Sequence, residues 1–119
     1  MALIDMVLAA APGQPEGDVT DRIALRADLT RFGYLDIAAW FARTRPWVFT
    51  RVSPAGSVAG DLVREGHFWA LRGPHGGDGP LWRFETRVLR PGEYATLRSP
   101  KSGTLVYRVV SVVAEPRER

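Results

Sequence analysis

Glu65 and His67 stand two residues apart in the stretch Glu-Gly-His-Phe-Trp, and a carboxylate beside an imidazole is the simplest acid–base pair a chain can offer. The carboxylate stabilises the protonated ring, which raises the imidazole pKa and poises it for proton transfer near neutral pH. On an extended strand, residues two apart share a face, with Cβ atoms on the order of 6 to 7 Å from each other. Trp69 follows on that same face, and Trp82 and Phe84 stand beyond a glycine-rich loop. The reading that uses these residues takes Glu65 and His67 as a catalytic pair and Trp40, Trp69, Trp82 and Phe84 as ligand-binding walls. The ligand is then a small apolar molecule, bound, or isomerised or cyclised by proton transfer. The competing reading puts Glu65 and His67 on the outer face near a sheet edge, or in a structural hydrogen bond, and the sequence leaves open whether the chain is an enzyme.

Other chemistries find less support. His75 and Asp78 in Pro-His-Gly-Gly-Asp-Gly supply two ligand types, short of the three or four that zinc requires, so neither a metal nor a cofactor is expected. The same loop lacks the Gly-Lys-Ser/Thr ending of a phosphate loop and joins strand to strand. Serines 53, 57, 99, 102 and 111 sit in turns or strands without a nucleophile-elbow motif around them. The absence of cysteine removes disulfides, thiolate metal sites and a Cys nucleophile together.

The elements that must position these residues follow from periodicity. Residues 3–11 are apolar on nearly every side, with Leu3 and Val7, then Ile4 and Leu8, at helical spacing, and predict a short N-terminal helix. Residues 17–29 alternate, with Ile23, Leu25 and Ala27 on one side, and predict a half-buried strand; a short helix from Asp18 is the alternative. From Tyr34 the period changes: Tyr34, Ile37, Ala38 and Phe41 share a face, predicting an amphipathic helix near 34–44 that Pro46 ends. Everything after Pro46 reads as strand and turn. The run from 58 to 72 is one strand broken by Gly60 and Gly66, residues 81–89 put Trp82, Phe84, Thr86 and Val88 on the core face, and the last strand is apolar on both faces. The expected fold is α+β: a single domain over 1–119, with a mostly antiparallel curved sheet or partly open barrel. About five to seven strands make that sheet, with a meander in the C-terminal half, and two helices accompany it.

Composition bounds the partners. The chain has 119 residues, 45% hydrophobic and 24% charged, the balance of an ordinary globular domain. The Ala-rich N-terminus has no basic flank and is interrupted by Asp5, so a cytoplasmic protein without a membrane role is expected. The net charge of +3 comes almost wholly from Arg, spread evenly along the chain. Arg43, Arg45 and Arg51 around Trp47 and Phe49 are the nearest approach to a base-stacking cluster, which leaves a nucleic-acid-binding barrel the weakest of three functional readings. The two stronger ones are the apolar-ligand pocket and a structural or assembly subunit that associates with itself or with another protein, on the evidence of the two-sided last strand.

Overall fold

The computed structural model describes residues 1–73, 81–85, 88–99 and 103–115. Among them, eight strands run in chain order around a closed antiparallel barrel. They are β1 (Ala2–Ala10), β2 (Asp18–Ala27), β3 (Val48–Ser53), β4 (Gly56–Glu65), β5 (Phe68–Arg72), β6 (Leu81–Glu85), β7 (Tyr94–Ser99) and β8 (Gly103–Ala114). Each pairs with its sequence neighbours, and β1 closes the ring against β8, with Asp5 opposite Ser111. Closure removes both sheet edges and their unpaired backbone groups.

This overturns the α+β expectation. The N-terminal segment is strand β1, not a helix: Ile4, Met6 and Leu8 point inward and are buried. Leu3 and Val7, on the outer side, fill in the alternation and disguise its period of two. The sheet is not open and holds one strand more than the upper expectation. Of the helix expected near 34–44, only α1 (Ile37–Ala42) forms. Its orientation also differs from the expected one. Trp40 and the preceding Leu35 face the core, whereas Tyr34, Ile37 and Phe41 are exposed.

Two further departures concern strands. Residues 58–72 are not one strand but the ends of a hairpin, turned by Gly66 and His67, with Gly66 at φ 60°. A two-residue loop needs a left-handed residue there, which glycine supplies without strain. In β8 the register jumps from Asp5↔Ser111 to Met6↔Val109, leaving Val110 as an extra residue. Such a bulge reverses the phase of alternation. Leu105, Tyr107 and Val109 face inward before it and Val112 packs on the core after it, which is why both faces of the strand read as apolar.

The interior is filled by side chains, as an eight-stranded barrel allows. Ile23, Leu25, Phe49, Leu62, Leu71, Phe84, Leu97 and Val109 form its middle, together with the residues of β1. Gly60 belongs to this close packing. A Cβ there would stand 2.1 Å from the Arg72 carbonyl oxygen and 2.7 Å from the Phe49 ring, so only glycine lets β4 cross so near β5 and β3.

Candidate functional site

The two ends of the barrel differ chemically. Near the β3–β4 turn, strand alternation carries three polar side chains inward. Asp21 continues the inward parity of Ile23 and Leu25, Arg51 that of Phe49, and Tyr107 that of Leu105. Arg51 grips Asp21 with two bonds, Nε to Oδ1 at 3.1 Å and Nη2 to Oδ2 at 2.8 Å, while the Tyr107 hydroxyl donates to Oδ1 at 2.8 Å. Asp21 is 4% exposed and Tyr107 fully buried. The hydrogen bond to Asp21 holds the Arg51 guanidinium above its ordinary range, and burial first, then the same carboxylate, pushes the Tyr107 phenol up. Each group has its partner. The arrangement is a buried ion pair tying β2, β3 and β8 together, with Trp82 beside it under Arg51 at 5.1 Å.

The opposite end is closed by tryptophans. Trp40, brought in by α1, meets Trp47 edge-on at 5.4 Å and Trp69 edge-on at 5.7 Å, and Trp47 stacks on Trp69 at 5.6 Å. Edge-to-face and stacked rings at these separations are favourable beyond the area they bury. Arg43 covers Trp40 at 3.3 Å and Arg64 covers Trp69 at 4.9 Å.

Over this plug runs the connection from β2 to β3, fixed by local bonds. Thr30 Oγ1 accepts from the Phe32 and Tyr34 amides, and the Thr30 amide donates to the Tyr34 carbonyl at 2.7 Å. The Gly33 carbonyl accepts from Leu89, and Asp36 caps α1 by accepting from the Ala39 amide at 3.0 Å. A loop tied this way holds its side chains out. Phe32 is 58% exposed and Phe41 76%, with Tyr34 and Ile37 nearly half exposed. Between this connection and the barrel lies a groove of ≈ 620 Å³, lined by Thr30, Phe32, Tyr34, Leu35, Asp36, Ile37, Ala38 and Trp69.

The residues singled out from sequence are distributed as follows. Trp40 and Trp69 come together at the groove. Trp82 lies toward the other end, 6.3 Å from Phe49, and Phe84 is buried between, opposite Trp69 in the ladder. Glu65 and His67 do not share a strand. Glu65 ends β4 and pairs with Arg72 at 2.6 Å, and His67 is exposed in the turn. His75, Asp78 and Thr86 lie outside the described residues. Trp47 and Phe49 are 1% exposed and Arg51 is paired inside the barrel, so this set offers no ring face to a base. Among the described residues no three His, Asp or Glu gather as metal ligands, and no helix is long and apolar enough to cross a membrane.

Sequence reasoning missed Asp21 and Tyr107 and read Arg51 only as part of a base-stacking cluster, although an acid on the inward parity of β2 was a legible signal. It read Tyr34, Ile37 and Phe41 as one face of an amphipathic helix, and all three are exposed. Fold and groove together define an up-and-down β-barrel with a filled interior, a tryptophan-plugged end and an aromatic groove outside the plug. No family model matches the chain, and comparison with curated proteins and with solved structures yields no significant match.

Proposed function

We propose that this protein is a small binding barrel whose groove, between residues 30–38 and Trp69, holds an apolar molecule with an aromatic or aliphatic body. The observation that carries the reading is the exposure of Phe32, Tyr34 and Ile37 around a ≈ 620 Å³ groove. That volume lies within the range of small-molecule sites, roughly 300 to 1,000 Å³, and apolar side chains held in water by a fixed loop are surface that a ligand can cover. Binding fits the groove better than turnover does. Of its polar groups, Thr30 and Asp36 are already engaged with the backbone and Tyr34 adds a phenol alone, and the interior is packed, so the ligand site is the groove and not the barrel lumen.

Fluorescence titration with N-phenyl-1-naphthylamine, a neutral apolar fluorophore, tests this. Saturable enhancement is expected, and it should disappear in Ala38→Trp, which fills the groove from an exposed position. Enhancement that survives in that variant, or none in the native chain, contradicts the proposal.

One observation favours a second reading, self-association. Leu3 and Val113 stand directly opposite each other on the outer wall, 40% and 55% exposed. A monomer by light scattering at high concentration removes that reading.

A further inference from the structure

We infer that the ligand of this groove carries an anionic group, a carboxylate, sulfonate or phosphate, on its apolar body; this rests on the groove reading above. Two walls of the groove, Phe32 and Trp69, each carry a guanidinium on the ring face: Arg31 at 4.7 Å and Arg64 at 4.9 Å. A third, Arg43, lies on Trp40, which touches Trp69. Among the described residues, Arg31, Arg43 and Arg64 have no carboxylate within ion-pair distance, whereas Arg26, Arg51, Arg72, Arg90 and Arg98 each do. Arg22, Arg83 and Arg108 likewise have none, so what sets Arg31 and Arg64 apart is their place on two ring walls of the groove.

The geometry suits anion capture. A guanidinium lying flat on an aromatic ring is held in place by the ring's negative face, while its N–H donors, which lie in the guanidinium plane, stay free for an oxyanion. Arg43 already gives Nη1 to the Trp40 carbonyl at 2.8 Å, which leaves Arg31 and Arg64 as the principal pair. Asp36 is the carboxylate in the groove lining, and its Oδ1 accepts from the Ala39 amide at the start of α1. A ligand with its apolar body between Phe32, Ile37 and Trp69 thus lies against the two rings that carry the Arg31 and Arg64 guanidinium groups, and charge-assisted hydrogen bonds are stronger than neutral ones. A groove of this volume is matched to one small molecule rather than to a lipid surface.

Two probes with the same ring system decide the matter: 1-anilinonaphthalene-8-sulfonate, which bears an acid, and N-phenyl-1-naphthylamine, which does not. The sulfonate is expected to bind about tenfold more tightly, equivalent to about 1.4 kcal/mol. In the double variant Arg31→Gln, Arg64→Gln that preference should vanish while the neutral probe keeps its affinity within about twofold. Equal affinity of both probes for the native chain overturns the anionic assignment and leaves the groove reading standing. Equal losses of both probes in the double variant also overturn it, since the arginines then act only as walls. Failure of both probes to bind overturns the groove reading itself. Co-sedimentation with phosphatidylglycerol vesicles, lost in the double variant, overturns the small-ligand assignment in favour of a membrane surface; none is expected.

Discussion

Tyr107 donates its hydroxyl hydrogen to Asp21 at 2.8 Å inside the barrel, joining the last strand to the second across β1, the strand that closes the ring. Arg51 holds the same carboxylate from β3. Removing the phenol oxygen deletes one bond to a buried charge, and Tyr107→Phe is expected to lower stability by about 1 to 2 kcal/mol. Asp21→Asn should lower it by about 2 to 3 kcal/mol, less than the full cost of breaking a buried pair because Arg51 keeps some contact with water. Urea unfolding measures both. Native stability in both variants would show that these bonds do not hold the barrel together.

The raised Tyr107 pKa carries a sign. Its phenol stays protonated in the folded chain beyond the pH at which an unfolded tyrosine ionises, about 10. The stabilisation is therefore fully present below about pH 10 and declines as the pH rises above it. The stability gap between the native chain and Tyr107→Phe should shrink in that range, followed by unfolding at stepped pH. A gap that widens above pH 10 contradicts the assignment.

Two glycines separate close approach from turn conformation. At Gly60 an added Cβ meets the Arg72 carbonyl and the Gly73 Cα, so Gly60→Ala forces β4 away from β5 and should lower stability by more than about 2 kcal/mol. At Gly66 the space is open and only the left-handed φ resists a side chain, so Gly66→Ala should cost about 1 kcal/mol. Thermal unfolding of the pair checks the order. The reverse order would mean that β4 and β5 do not pack as described.

Within α1 the inward and outward residues should behave oppositely. Trp40→Ala empties the plug against Trp47 and Trp69 and is expected to remove about 3 kcal/mol or more. Phe41→Ala, one residue away and 76% exposed, should change stability by less than about 0.5 kcal/mol. A large loss at Phe41 would show that the apolar stripe is core after all.

These contrasts also show where the sequence was legible. The period-two pattern of Ile23, Leu25 and Ala27 marks β2, and Trp82 and Phe84 lie on the inward side of β6 as read. What hid β1 was a second apolar row, Leu3 and Val7, on its outer face. Barrel closure was beyond local reading, because it pairs Asp5 with Ser111 across nearly the whole chain. The Glu65–His67 pairing assumed a continuous strand, and Gly66 instead turns it. At the candidate site, Trp69 was read as a ligand-binding wall, and it lines the groove. Tyr34 and Ile37 were seen as one apolar face, but periodicity cannot say whether such a face meets a core or a ligand.

The most direct test of the binding account is an amide and indole chemical-shift titration of the native chain with N-phenyl-1-naphthylamine. The account predicts saturable shifts at Phe32, Tyr34, Leu35, Ile37 and Ala38 and at the Trp69 indole, with the Trp82 indole unmoved. Shifts centred on Trp82, or none at saturating probe, would contradict it.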